Sequence, residues 1–165
     1  MYPPQKPINN QHSYFELLCY EAQKYLPYKL DFDGYEDLVA RYRLLSDLDT
    51  AANFEMAKEF VTWLEYFSNV ANFVQKEFLD AETDKLQIFS AKSIDASDKS
   101  VASGDRKANT EPEVIAARKK RNALKSLYDA LCSHQDFCEK VFYQCKYNCM
   151  ETGDNSNGKQ RRSEF

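Results

Sequence analysis

Four side chains near the end of the chain, His134, Cys138, Cys145 and Cys149, fall on one helical face at steps of four, seven and four, and their types are those that bind zinc. Helix geometry argues against a single metal centre. The residues from His134 to Cys149 rise roughly 22 Å along a helix, whereas zinc ligands converge within about 2.3 Å of one ion. One helix could offer Cys145 and Cys149 as a pair, and a closed site around them would need a second helix or subunit. The plainer expectation is that these thiols act as small apolar residues in a helical seam. The five cysteines (Cys19, Cys132, Cys138, Cys145, Cys149) are odd in number and lack CxxC spacing, so a disulfide framework is not expected.

Catalytic chemistry has little to build on. The two histidines are His12, in a Pro- and Asn-rich opening, and His134, among core-like neighbours. No Walker loop, GxGxxG, GxSxG or HExxH pattern occurs, and Glu55, Glu59 and Glu65 fall where a solvated helix face would place them. The expectation is a protein that is not an enzyme and carries neither cofactor nor metal.

The remaining chemistry is electrostatic. The formal charge is −4, yet Lys99 to Lys125 holds eight cations against Asp105, Glu111 and Glu113, a local +5. Residues 12–96 hold sixteen acidic against eight basic side chains, a local −8. Lys99, Arg106, Lys107, Arg118, Lys119, Lys120, Arg121 and Lys125 are therefore the candidates for neutralising phosphate, with tyrosines available to stack on unpaired bases. Successive helical residues turn by about 100°, so residues 118–121 fan around a helix and form no single stripe. Glu111 and Glu113 would repel an anion at the helix start, which moves the expected phosphate surface a turn further on. A charge run of this kind also solubilises an ordinary helix face.

The elements that must position these cations are helical. Only four glycines and five prolines, three of them in the first seven residues, leave long stretches without breakers. A helix is expected from about Ser13 to Tyr25, and a second starts at a cap on Asp33. Ala57, Phe60, Leu64, Phe67, Ala71, Val74, Phe78, Ala81 and Ile88 then form a heptad seam on a helix from about Thr50 to Ala96, roughly 70 Å long. A second seam runs through Ala117, Leu124, Leu131, Cys138 and Cys145, with Val114, Tyr128, Phe142 and Cys149 on the adjoining row. "TEPE" marks its start, with Thr110 as the expected N-cap and Glu113 completing a capping box.

The reading is thus all-α: a flexible start (1–12), two short helices (13–48), a long antiparallel helical hairpin (49–150) with its tip at 97–111, and a disordered tail (151–165). The tip is rich in Ser, Gly and Asn and is expected to hold at most a small helical turn. Length fits one domain. No apolar run approaches the roughly 18 residues of a membrane span and no secretory signal is visible, so a cytoplasmic protein without membrane contact is expected. Phe60, Leu64, Phe67, Val74, Phe78, Ile88, Leu124 and Leu131 are the residues expected to hold the hairpin and an oligomer together.

With "FVTWLEYFSNVANFVQKEF", the tip "KSVASGDRKANTEPEV" and "AARKKRNALKSLYDAL" in this order, the chain resembles the phage recombination mediators of the UvsY type over roughly residues 50–142. The Ser100–Val101, Asp105–Arg106 and Ala108 spacing looks like that family's tip. The resemblance implies a helical homo-oligomer that binds single-stranded DNA, with Arg106 foremost, and assists a recombinase on strands covered by single-strand-binding protein. The alternative is a coiled-coil adaptor or scaffold that touches no nucleic acid.

Overall fold

A computed structural model describes residues 13–96 and 100–160, with side chains as far as residue 151 in the last helix. His12 and Lys99 lie outside the described residues. Five helices follow one another: α1 (Tyr14–Gln23), α2 (Tyr35–Arg43), α3 (Thr50–Asp95), α4 (Val101–Ala108) and α5 (Pro112–Gln160). Among the described residues there is no strand, so the chain is all-α as expected. Most of the tail expected over 151–165 lies beyond the described side chains; the helical backbone of α5 runs as far as Gln160.

Local chemistry sets the starts of the short helices. Ser13 caps α1 with a capping box: its hydroxyl accepts from the Glu16 N–H at 3.3 Å, and the Glu16 carboxylate accepts from the Ser13 N–H at 2.9 Å. The Gln23 amide then fastens the turn that follows, donating to the Tyr28 carbonyl at 2.7 Å and accepting from the Leu30 N–H at 2.9 Å. The expected cap of α2 at Asp33 is displaced by one residue. Asp33 is drawn back by a hydrogen bond from its N–H to Asp31 Oδ1, 3.0 Å, and Gly34 takes the N-cap position with φ 86°.

A β-carbon at Gly34 would meet nothing within 4 Å, so backbone conformation alone is what an alanine there would strain. Gly34→Ala should destabilise the chain by about 1–2 kcal/mol, the cost of a left-handed alanine. A urea midpoint indistinguishable from the parent would contradict this.

The described chain divides into two compact units. The first comprises the chain up to Leu30 with Val74–Tyr128, and the second comprises Asp31–Phe73 with the chain from Asp129 onward. α3 and α5 each contribute to both units. α1 belongs to the first unit and α2 to the second.

In the second unit Phe60 and Phe67 are fully buried beside Leu38, Leu131, Cys138 and Cys145. The Phe60 ring meets Phe137 at 6.0 Å, and Asn53 bonds to Asn148, so the start of α3 runs antiparallel to the end of α5. In the first unit Val74, Ala81, Val114, Leu124 and Leu127 are buried with Ala22 of α1 and Ala108 of α4. Pairs Glu82–Arg121, Asp84–Lys120 and Lys92–Glu113 show the end of α3 running antiparallel to the start of α5. Of the expected seam, Phe60, Phe67, Val74, Leu124 and Leu131 are buried, while Leu64, Phe78 and Ile88 are half-buried.

Two expectations for the tip are corrected. Residues 101–108 form a complete short helix, since Ser100 accepts from the Ser103 N–H at 3.3 Å and nucleates the first turn. Thr110 does not cap α5. Its hydroxyl donates back to the Lys107 carbonyl at 2.7 Å, and α5 begins at Pro112, whose fixed φ and missing N–H suit a first helical position.

Candidate nucleic-acid interface

The described cations among those singled out above, Arg106, Lys107, Arg118, Lys119, Lys120, Arg121 and Lys125, belong to the first unit, on α4 and the first part of α5. Helix α4 is docked by its own sequence. Gly104 and Ala108 are buried, and Asp105 accepts a hydrogen bond from the hydroxyl of buried Ser93 on α3. Because those positions face inward, Arg106 and Lys107 are left exposed. The Asn109 N–H and side-chain amide both donate to the Asp105 carbonyl, at 3.1 and 2.9 Å, ending the helix and setting the amide oxygen toward α5.

On α5 the basic run is divided by its partners. Arg118 donates to Asn109 Oδ1 at 2.6 Å. Lys120 lies 3.6 Å from Asp84, and Arg121 donates to Glu82 at 2.8 Å while its guanidinium rests 5.3 Å from the Phe78 ring centroid. Arg106 and Lys119 are exposed and form no ion pair among the described residues. Lys92 pairs with Glu113, whose charge would otherwise oppose an anion at the start of α5; the same contact raises the Lys92 pKa, chiefly through its hydrogen bond to that carboxylate. The eight candidates thus split into solvent-facing cations (Arg106, Lys119), cations held by neighbours (Arg118, Lys120, Arg121), Lys107 and Lys125 beside them, and Lys99 outside the described residues.

Between the end of α3 and the start of α5 lies a cavity of about 430 Å³, within the range that small ligands occupy. Its cationic lining is Lys85, Arg118 and Arg121, and among the described residues no carboxylate lines it. Leu86, Phe89 and Val114 supply an apolar wall, and the amides of Asn109 and Asn122 complete it. The Nε of Arg121 is buried and has no hydrogen-bond partner among the described residues. Lys85, Phe89 and Asn122 were missed in the sequence, where Lys85 looked like an interruption of the seam. They come into view once α3 and α5 are set in the register that pairs Glu82 with Arg121.

The residues considered for metal or thiol chemistry lie in the second unit and are built as core. Among the described residues no group of three or more His, Cys, Asp or Glu side chains is placed to hold a metal ion. All five cysteines are free thiols. Burial pushes the Cys138 and Cys145 thiols up to about 11, which keeps them protonated and poorly nucleophilic. His134 is half-buried, stacked on Phe67 at 5.4 Å and 3.0 Å from the Tyr35 hydroxyl through Nδ1. Burial likewise raises the Tyr35 pKa, with the nearby Cys138 adding to it.

Burial lowers the His134 pKa below its ordinary 6.5, and the charge of Glu36 only partly opposes this. The folded chain therefore takes up this proton at a lower pH than the unfolded chain does. The corresponding stability is fully present above about pH 6.5 and is lost as pH falls toward the folded value. The urea midpoint should drop between pH 7.5 and 5.5, and His134→Gln should flatten that drop; an equal slope in the variant would contradict the assignment.

Among the described residues no helix is long and apolar enough to cross a membrane. Comparison of the chain with protein-family models, with curated proteins and with solved structures finds no match.

Proposed function

We propose that this chain is a non-enzymatic accessory protein that binds single-stranded DNA through the basic end of its first unit. The observation that carries the reading is the cavity with Lys85, Arg118 and Arg121 in its wall and no carboxylate there among the described residues, in a chain whose overall charge is negative. Exposed Arg106 and Lys119 extend the positive surface on α4 and α5. A single strand suits such a site because it offers both phosphate charge and free base faces to cations interleaved with apolar side chains. The recombination-mediator resemblance extends the reading to a homo-oligomer whose subunits share one strand, which multiplies weak contacts, and to work beside a recombinase and a single-strand-binding protein.

The ion pairs of Lys120 and Arg121 with Asp84 and Glu82 favour a second reading, the adaptor that binds no nucleic acid, since they neutralise half of the run Arg118–Arg121. Fluorescence anisotropy with a labelled oligothymidylate at several salt concentrations separates the two. On the first reading, affinity falls with salt at a slope of about −0.7 per phosphate contact, and replacing Arg106, Arg118 and Lys119 together by Ala reduces the slope by about 2. Absence of binding at low salt would leave the adaptor. All three substituted side chains are exposed, so loss of binding is not loss of fold.

A further inference from the structure

We propose that the cavity between the end of α3 and the start of α5 is a nucleotide pocket, in which one unpaired base lies against Phe89 while its phosphate is held by Lys85, Arg118 and Arg121. For its natural occupant this rests on the single-stranded-DNA reading, although the chemistry of base plus phosphate is shared by a residue within a strand and a free mononucleotide. Three kinds of wall meet in one space. The cations account for an anion, and a bare phosphate would need nothing more. Leu86, Phe89 and Val114 account for a flat apolar body, which would leave the cations unused if it came uncharged.

The polar groups have capacity left for a guest. Arg121 Nε is buried without a hydrogen-bond partner among the described residues. Lys85 is half-buried and forms no ion pair among the described residues. Asn122 Oδ1 accepts from Arg121 at 3.2 Å, and its Nδ2 is free to donate to an acceptor on a base edge. Asn109 is different: its oxygen holds Arg118 and its nitrogen is committed to the Asp105 carbonyl, so it positions the guanidinium and does not read a base. The cavity volume of about 430 Å³ is in the range for a small organic ligand.

The test compares a labelled oligothymidylate with an abasic strand of the same length, at one salt concentration. It uses the parent chain, Phe89→Leu, Phe89→Tyr and Arg118→Gln, and thymidine monophosphate against inorganic phosphate as competitors. The parent should bind the abasic strand about tenfold more weakly, the size of one lost stacking contact. Phe89→Leu should erase that preference without changing the salt slope, Phe89→Tyr should keep it, and Arg118→Gln should weaken both strands. Thymidine monophosphate should compete where phosphate at equal concentration does not.

Equal binding of both strands by parent and Phe89→Leu would overturn the base pocket and leave strand binding intact. If no oligonucleotide binds, the DNA reading fails, and calorimetry with thymidine monophosphate decides the pocket. Binding that Arg118→Gln weakens supports it as a mononucleotide site, and absence of binding overturns it.

Discussion

Cutting Phe67 to alanine will cost about 3–5 kcal/mol of unfolding free energy, the range for a fully buried phenylalanine. The ring is wholly enclosed. It meets Tyr35 edge-on at 4.8 Å, Phe32 face-to-face at 5.4 Å, His134 at 5.4 Å and Trp63 at 5.8 Å. Those partners come from the loop before α2, from α2, α3 and α5, so the cavity left behind would touch every layer of the second unit and could not be closed by one shift. Urea unfolding followed by circular dichroism reads the loss directly. Phe78→Ala, on the same seam eleven positions later, should lose clearly less. Its ring is half-buried and borders Tyr128 at 6.5 Å and the Arg121 guanidinium. Equal losses at the two positions would show that burial has been misassigned.

The second large effect is polar. Asn53 is fully buried, and its Nδ2 donates to the carbonyls of Ser46 at 2.9 Å and Asp49 at 2.8 Å while its Oδ1 accepts from Asn148 at 3.0 Å. Asn148 also donates to Asp47 at 3.1 Å and accepts from Gln144 at 2.9 Å. Replacing Asn53 by Leu removes the acceptor of one Asn148 N–H, at about 1–3 kcal/mol for a buried group left unmade, while the exposed Ser46 carbonyl keeps the Asp49 N–H at 3.1 Å. Asn148→Leu should cost a similar amount. The double variant should lose less than the two single losses combined, because removing both partners leaves no orphan between them. Strict additivity in this cycle would mean that the two amides do not interact.

Much of this architecture was legible because apolar residues keep time. Seven-residue recurrence located α3 to within a residue of its ends, and the helix expected from about Ser13 to Tyr25 is α1, Tyr14–Gln23. What escaped has specific reasons. Asn53 lies four residues before Ala57, and Asn148 three after Cys145, so both occupy seam positions; their polar type hid them. Helix α4 was hidden by Ser, Gly and Asp, residues that favour turns until buried neighbours hold them in a helix. The division into two units was invisible, since periodicity says which face is buried but not which short helix covers it. For the same reason the candidate site was only half read. The run Arg118–Arg121 could be seen, but Lys85, Phe89 and the carboxylates of Glu82 and Asp84 join it through a pairing register that one helix's sequence does not contain.

Helix α4 has eight residues, fewer than the roughly 12–15 that an isolated helix needs to persist in water. Its geometry is on loan from Ser93 and from the buried sides of Gly104 and Ala108. The location of Arg106 is consequently a tertiary property: undocking this one short segment, at the loss of the Ser93–Asp105 and Arg118–Asn109 hydrogen bonds, would scatter a cation that the chain otherwise displays at a fixed address, while the backbone bonds within α3 and α5 stay in place.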